Sequence, residues 1–252
     1  MNEILTQDHG TLRVLILNRP EKRNALNDAL VTRLKVELTK ANEIEGLTAV
    51  VIRGEGKDFC SGADLSSLQK IAGASYEENL EDARSLAELF SMPRKMTIPV
   101  IAAVHGKALA GGCGLATACD LVVATNTARF GYPEVKIGFV PAIVTAFLRR
   151  NISEKQAFEL ITQGFEFSAE QAKSLGMVNQ VFEEDGFEEN VIRYCAVYEK
   201  VSKNAVTLSK QLLYGMDTLG IDNSMDLGSE INVKARMSED CQKGIAKFLE
   251  KA

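Results

Sequence analysis

At 252 residues the chain is long enough for one large core, or for a core with a smaller appendage, and too short for two equal domains. Its 46% hydrophobic and 25% charged residues exclude a disordered or fibrous chain, and no stretch approaches the ~18 unbroken apolar residues of a membrane span. A net charge of −5 with no dense block of lysine and arginine leaves no footprint for nucleic acid, although a phosphate on a small ligand needs only a few local cations.

The first residues, Met1-Asn2-Glu3-Ile4, do not read as a secretion leader, so the expected location is the cytoplasm, without a membrane partner. Cys60, Cys113, Cys119, Cys195 and Cys241 are an odd, scattered set without CxxC spacing, which points to reduced packing thiols rather than disulfides or zinc ligands. With only His9 and His105 in the chain, neither a histidine-based metal site nor a Ser-His-Asp triad is expected. Acid–base work then falls to carboxylates.

In chain order, residues 12–17 form an apolar run of strand length, stopped by Asn18-Arg19-Pro20. Asn27 is placed to cap a helix in which Leu30, Leu34, Leu38 and Ala41 share one face, with Gly46 as the expected C′ residue. Residues 49–52 read as a buried strand. A second helix is predicted over residues 76–94, ending at Pro93, and further buried strands over 100–104 and 121–124 flank a short helix-compatible stretch. This order is that of an α/β protein. Beyond Pro141 helical patterns dominate, at 143–150, 154–162, 169–175 and from 187 onward, interrupted by a short strand at 178–182. The expected division is a core of residues 1–185 and a helical region of residues 186–252.

Two glycine-rich loops, Phe59-Cys60-Ser61-Gly62-Ala63-Asp64-Leu65 and Ala110-Gly111-Gly112-Cys113-Gly114-Leu115, each follow an apolar strand and open a helix-compatible stretch. N–H groups in the first turn of a helix carry partial positive charge and suit an anion, and two of them facing one point make an oxyanion hole. Either loop alone has a plainer explanation, since glycine permits tight turns and close helix–strand packing. A dinucleotide fingerprint starting at Gly112 is disfavoured, because Thr117 stands where its third glycine belongs.

Taken together with Asn18-Arg19-Pro20, Asn24-Ala25-Leu26-Asn27, Ala118-Cys119-Asp120-Leu121, Phe130-Gly131-Tyr132-Pro133-Glu134, Gly138 and Pro141, these loops resemble the ordered signature of the crotonase (enoyl-CoA hydratase/isomerase) family. The resemblance runs over essentially the whole chain. It implies a spiral of ββα units with a C-terminal helical region that covers the active site and builds a homotrimer or homohexamer. It also implies an acyl-CoA thioester as substrate, with coenzyme A arriving as part of that substrate and no separate cofactor or metal. By position, the N–H groups of Ala63 and Gly111 would hold the thioester oxygen. Lys22, Arg23, Ala25, Asp64, Leu65, Gly114, Pro133 and Gly138 would line the substrate path, and Phe248 with Lys251 would reach the nucleotide end from an adjacent subunit.

Glu134 in isolation reads as a solvated surface glutamate. The resemblance makes it the carrier of a proton at the substrate's α-carbon, and apolar Phe130, Ile137 and Phe139 nearby are expected to raise its pKa. Gly114 departs from hydratases of the family, which carry a second catalytic glutamate there. Shifting a double bond needs one base, so Gly114 by itself favours an isomerase. The space vacated at Gly114, however, is expected to admit a water or a bulkier acyl chain, and Pro141-Ala142-Ile143, where relatives continue with glycines, points to a reshaped acyl pocket. The balance falls to reversible hydration of a 2-enoyl-CoA, branched or dicarboxylic such as 3-methylglutaconyl-CoA, ahead of a Δ3-Δ2 enoyl-CoA isomerase and of a non-catalytic acyl-CoA-binding protein. As substitutes for the missing carboxylate, Asp120 reads instead as a helix-end cap and Glu88 as a surface residue, while Cys60, Cys113 and His105 read as structural.

Overall fold

Strands covered on both faces need nearly continuous apolar runs, and the chain supplies four of them. In the computed structural model, which describes residues 2–250 and leaves the Leu65 side chain outside the description, these are β2 (Leu12–Leu17), β3 (Ala49–Gly54), β4 (Val100–Val104) and β6 (Leu121–Thr125), preceded by β1 (Ile4–His9). Together with β9 (Gln180–Phe182) they form one sheet in the order β1-β2-β3-β4-β6-β9. The β1–β2 pair is antiparallel and the remaining neighbours are parallel. A second sheet joins β5 (Lys107–Leu109), β7 (Arg129–Gly131) and β8 (Glu166–Ser168) in that order.

The helices are α1 (Asp28–Glu43), α2 (Leu65–Gly73), α3 (Tyr76–Lys95), α4 (Gly111–Ala118), α5 (Ala142–Asn151), α6 (Glu154–Gln163), α7 (Ala169–Ser174), α8 (Phe187–Cys195), α9 (Lys203–Gly215), α10 (Ile221–Arg236) and α11 (Glu239–Leu249). Alternation within the strands assigns each face of the large sheet. Leu15, Leu17, Val50, Ile52 and Ala102 join Leu30, Leu34 and Leu38 of α1, Phe90 of α3 and Leu115 of α4. Val14, Ile16, Val51, Ile101 and Ala103 face Val191 and Cys195 of α8. The sheet is thus a middle layer, and the glycine-rich loops open on the α1–α3–α4 side.

Asn27 caps α1 as expected, its side chain accepting the Leu30 N–H at 2.9 Å. The other end differs. The helix stops at Glu43 and leaves through Ile44 in an extended conformation, so Gly46 (φ +89°) turns the following loop instead of closing the helix. No helix among the described residues is long and apolar enough to cross a membrane.

Asp120, expected as a helix-end cap, is instead the acceptor of a cluster that ties α9 to the core. Its carboxylate takes Val100 N at 2.7 Å, Lys210 Nζ at 2.5 Å and the Tyr214 hydroxyl at 2.7 Å. Lys210 also donates to the carbonyls of Pro93 at 2.6 Å and Ile98 at 2.9 Å. Burial lowers the Lys210 pKa, and the adjacent Asp120 charge opposes that shift. Stripping one partner from such a buried pair leaves an uncompensated charge, which typically costs about 3–5 kcal/mol. Lys210→Met should therefore lower the unfolding free energy read from urea titration by that order, and adding Asp120→Asn should recover part of the loss. Independent, additive effects of the two substitutions would show that the pair is not coupled.

Candidate active site

The site grows from three segments bonded to one another. Cys60 forms a parallel bridge with Ala108, its N–H donating to Lys107 O at 3.1 Å and its carbonyl accepting Leu109 N at 3.0 Å. Two residues on, Gly62 turns with φ +97°, a conformation that favours glycine. Leu26 then takes both peptide groups flanking Ala63: its N–H donates to Gly62 O at 2.7 Å, and its carbonyl accepts Asp64 N at 2.9 Å. In that bridge the Ala63 N–H faces away from Leu26, and it has no acceptor among the described residues.

Asp64 ends the loop by capping α2, accepting Ser66 N at 3.0 Å. Arg19, itself largely buried, reaches Asp64 Oδ2 at 2.7 Å and donates to Ala25 O at 2.6 Å. The Ser66 N–H foremost, and then the Arg19 guanidinium, hold the Asp64 carboxyl down to about 2. Next to Arg19, Asn24 adopts φ +54°, and its buried amide donates to Glu55 O at 2.9 Å and Asp58 O at 2.7 Å while accepting Arg19 N at 2.9 Å. Ser61 N bonds Arg23 O at 3.0 Å, so the segment bearing Lys22, Arg23 and Ala25 is pinned to the Ala63 loop.

The second loop is entered through Ala110, whose φ of 48° with ψ of −125° is strained for a residue with a Cβ. Its N–H is held by Gly131 O at 2.9 Å, and the next N–H, that of Gly111, opens α4 and has no acceptor among the described residues. The loops touch. A Cβ at Gly62 would lie 2.8 Å from the Ala110 Cβ and 3.5 Å from Gly111 N, and one at Gly112 would lie 2.2 Å from the Cys60 carbonyl oxygen. Two unpaired N–H groups therefore flank one backbone contact, one of them on the positive end of a helix.

The third segment leads from Gly131 to Glu134. Buried Tyr132 shares a 2.7 Å hydrogen bond with the Thr117 hydroxyl, which donates to Cys113 O at 2.8 Å, fixing the segment against α4. A 3-10 turn over Pro133–Ile137 follows, closed by Gly138 at φ +76°. Glu134 is half-buried, its Oε2 has no hydrogen-bond partner, and burial raises its pKa above the ordinary carboxylate range. Phe130 is buried, stacked on Phe167 with centroids 6.0 Å apart. Ile137 and Phe139, expected to shield Glu134, are instead 70% and 50% exposed at the surface of the turn.

Gly114 also differs from expectation. Phe90 and Val144 close on the place a side chain would take, so no space stands vacant there. Val144 is seated by the Pro141-Ala142-Ile143 stretch, in which Pro141 precedes the first turn of α5. Cys60 and Cys113 are buried with thiols pushed up to about 12, which suits packing rather than nucleophilic chemistry. His105 donates from Nε2 to Gly56 O at 2.9 Å. Phe248 is exposed on α11, and Lys251 lies outside the described residues. Arg19, Asn24, Tyr132 and Thr117 hold the site without having been singled out for it; the tolerance of asparagine for positive φ was the one local signal. A separate cavity of about 350 Å³, lined by Arg53, His105, Phe187 and Glu188 among others, lies between the opposite face of the sheet and α8.

Comparison with known proteins agrees with this architecture. The enoyl-CoA hydratase/isomerase family model matches residues 7–252. A Thermus thermophilus relative named for enoyl-CoA hydratase is 40% identical, covering 97% of this chain and 96% of its own. The 2,3-dehydroadipyl-CoA hydratase of Escherichia coli is 33% identical, over 100% of this chain and 97% of its own. The crystal structure of an enoyl-CoA hydratase from Mycobacterium smegmatis superposes with a TM-score of 0.95 at 31% identity, covering 100% of this chain and 97% of the other. The chain belongs to the enoyl-CoA hydratase/isomerase family, with the crotonase fold, and is an enzyme of the hydratase/isomerase type.

Two measurements check the geometry. Gly112→Ala should lower folding stability by about 1–3 kcal/mol through overpacking against Cys60, whereas Gly73→Ala, whose Cβ meets nothing within 4 Å, should be neutral or stabilising. Because the Asp64 pKa is depressed, its contribution to stability is present above the unfolded value and disappears as pH falls through about 2. Stability of Asp64→Asn should thus depend less on pH than wild type across that acid window, as read by unfolding titrations.

Proposed function

We propose that the site activates an acyl-coenzyme A thioester, the Ala63 and Gly111 N–H groups donating to its carbonyl oxygen while Glu134 moves a proton at the α-carbon. The observation that carries this reading is the pair of acceptor-free N–H groups on touching loops, with an unpartnered carboxylate oxygen on the segment bonded to the same turn. An α-proton of a thioester is only weakly acidic. Two donors that need no reorganisation stabilise the enolate oxygen, and losing one in comparable holes costs about 3 kcal/mol. Burial supplies the other half, since it raises the Glu134 pKa and so makes the carboxylate a stronger proton acceptor.

Coenzyme A, as part of the substrate, would run past Lys22, Arg23, Ala25 and the Asp64–Leu65 stretch, with Pro133 and Gly138 shaping the turn that presents Glu134. For the overall reaction we favour reversible hydration of a 2-enoyl-CoA with a branched or dicarboxylic acyl group. The name of the E. coli relative and that of a crotonyl-CoA hydratase from Syntrophomonas wolfei, 32% identical over 98% of this chain, support hydration, and the former supports a dicarboxylic chain. Δ3-Δ2 isomerisation is the second reading, favoured by the closed wall at Gly114.

Incubation with crotonyl-CoA, a 3-enoyl-CoA and 3-methylglutaconyl-CoA, read by loss of conjugated absorbance and by mass, separates the reactions: gain of water marks a hydratase and a shifted double bond an isomerase. Glu134→Gln should lower turnover roughly 10²–10⁴-fold on whichever substrate is accepted. Full turnover by that variant would remove Glu134 from the mechanism. The acid limb of kcat/KM in wild type should fall above the ordinary carboxylate range, in the direction of the raised Glu134 pKa.

The same reading extends to assembly in the cytoplasm. The C-terminal helices leave Ile221, Met225, Met237, Phe248 and Leu249 exposed, an apolar surface suited to a homotrimer or homohexamer in which Phe248 and Lys251 approach a neighbour's nucleotide. Light scattering should give three or six copies per particle. A monomer at micromolar concentration would rule out that assembly.

A further inference from the structure

Glu134 sits on a turn whose hydrogen bonds all close on the turn itself. Gly138 N donates to Val135 O at 3.2 Å and Phe139 N to Glu134 O at 3.0 Å, and among the described residues no hydrogen bond of residues 133–139 reaches another segment. α6 meets the turn by packing alone: a Cβ at Gly164 would stand 3.0 Å from Val135 Cγ2 and 3.4 Å from Pro133 Cα. The placement of the carboxylate therefore falls to the two residues before the turn. Gly131 ends β7, paired with β5 and β8, and its carbonyl accepts Ala110 N at 2.9 Å. Tyr132 attaches through its phenol, which reaches Thr117 on the last turn of α4 at 2.7 Å.

The direction of that bond follows from its neighbour. Thr117 Oγ1 already donates its one proton to Cys113 O at 2.8 Å, so between Tyr132 and Thr117 the phenol is the donor. Tyr132 and Thr117 are 0% and 5% exposed, which keeps both hydroxyls out of bulk water. Burial raises the Tyr132 pKa, and the donor proton stays in place. The two attachments lie at opposite ends of α4, Gly131 at Ala110 beside the Gly111 N–H and Tyr132 at Thr117. Roughly 9 Å of helix, at about 1.5 Å per residue, separates Gly111 from Thr117. A segment held at one point can pivot, whereas a segment held at both ends of a rigid helix cannot.

We propose that Tyr132 is a positioning residue for Glu134: its phenol, tied to Thr117, stops residues 132–134 from pivoting about Gly131 and sets the carboxylate relative to the Gly111 N–H on the same helix. The holding of the turn rests on these hydrogen bonds alone, and its catalytic consequence rests on the acyl-CoA reading above. Tyr132 acts through Glu134 and not on the substrate. Proton transfer needs the carboxylate within hydrogen-bond reach of the α-carbon while the thioester oxygen is on its donors. A misplacement of about 1 Å in such a group costs on the order of 10²-fold. Binding of the thioester draws on the Ala63 and Gly111 donors and on the coenzyme path, so the loss belongs to kcat and not to KM.

Tyr132→Phe removes the oxygen and keeps the ring. On whichever enoyl-CoA wild type accepts, it should lower kcat roughly 10–100-fold and leave KM within about twofold. Thr117→Val breaks the same bond from the other side and should lower kcat to a similar degree, while Thr117→Ser should recover most of that loss. The double variant should lose no more than the worse single one. Val191→Ala, in the core on the opposite face of the sheet, controls for stability and should leave kcat unchanged. A kcat for Tyr132→Phe within about twofold of wild type, or a loss matched by Val191→Ala, would overturn the role of Tyr132. Crystal structures of the two proteins without substrate give a readout independent of activity. In Tyr132→Phe the turn over Pro133–Ile137 should shift by about 1 Å or take more than one position while α4 superposes. An unmoved turn in a single position would show that the phenol does not hold it. If wild type acts on no thioester, the proposed function falls, while the position of the turn still decides the anchor. Should Tyr132→Phe fail to fold, Thr117→Val carries both measurements.

Discussion

The Cys60 carbonyl and the first turn of α4 cross so closely that a methyl group at Gly112 would stand 2.2 Å from the oxygen. The rest of the site depends on that crossing. It is reached only because Cys60 is bridged to β5, so that the loop after β3 and the loop before α4 run side by side, and because Gly62 turns with φ +97° immediately beyond the bridge. With the backbones in contact, each loop carries an N–H, at Ala63 and at Gly111, that has no acceptor among the described residues. The donors are peptide groups, whose direction is set by main-chain dihedrals, so the strained Ala110 conformation is held by the surrounding ladder rather than by its own preference.

Side chains serve mainly to hold this backbone still. Arg19 joins Ala25 O to the Asp64 carboxylate, Asp64 caps α2, and Asn24 braces the same turn against Glu55 and Asp58. The result is a short closed circuit around Ala63. On the other side, Tyr132, Thr117 and the Cys113 carbonyl fix the start of the Glu134 turn to α4. A carboxylate placed on a 3-10 turn would otherwise be loosely positioned; here the start of its segment is bonded to the Ala110 loop and to α4.

How much of this could be read from sequence follows from the length and periodicity of each element. Six-residue apolar strands and the cap at Asn27 were legible, and so were the glycine-rich loops, because each local pattern agreed with the tertiary structure. The three-residue strands β5, β7 and β8 were not, since three residues carry no period, and they are what bring the loops together. Edge strand β1 escaped because only Ile4 among its residues is buried. Asp120 illustrates a different failure: its partners Lys210 and Tyr214 lie 90 and 94 positions away, so nothing local distinguishes it from a helix cap. Gly114 fails in the same way, because an absent side chain looks like space until Phe90 and Val144, distant in sequence, are seen to occupy it.

The distribution of satisfied and unsatisfied groups argues for Glu134 independently of any motif. Buried charges in this fold are otherwise placed with partners: Lys210 with Asp120 and two carbonyls, Asp64 with Arg19 and the Ser66 N–H. Among the described residues, only Arg33 Nε and Glu134 Oε2 are buried side-chain polar atoms without a hydrogen bond. Arg33 still meets Glu37 through its Nη2 at 2.8 Å, so its charge is compensated on the helix surface. For Glu134 no compensating cation lies among the ion pairs of the described residues, and burial alone raises its pKa. A folded protein leaves a carboxylate oxygen in that condition at a cost of about 1–3 kcal/mol. The cost is intelligible if the missing partner is the proton of a substrate carbon, which arrives only when the two free N–H groups have an oxygen to hold.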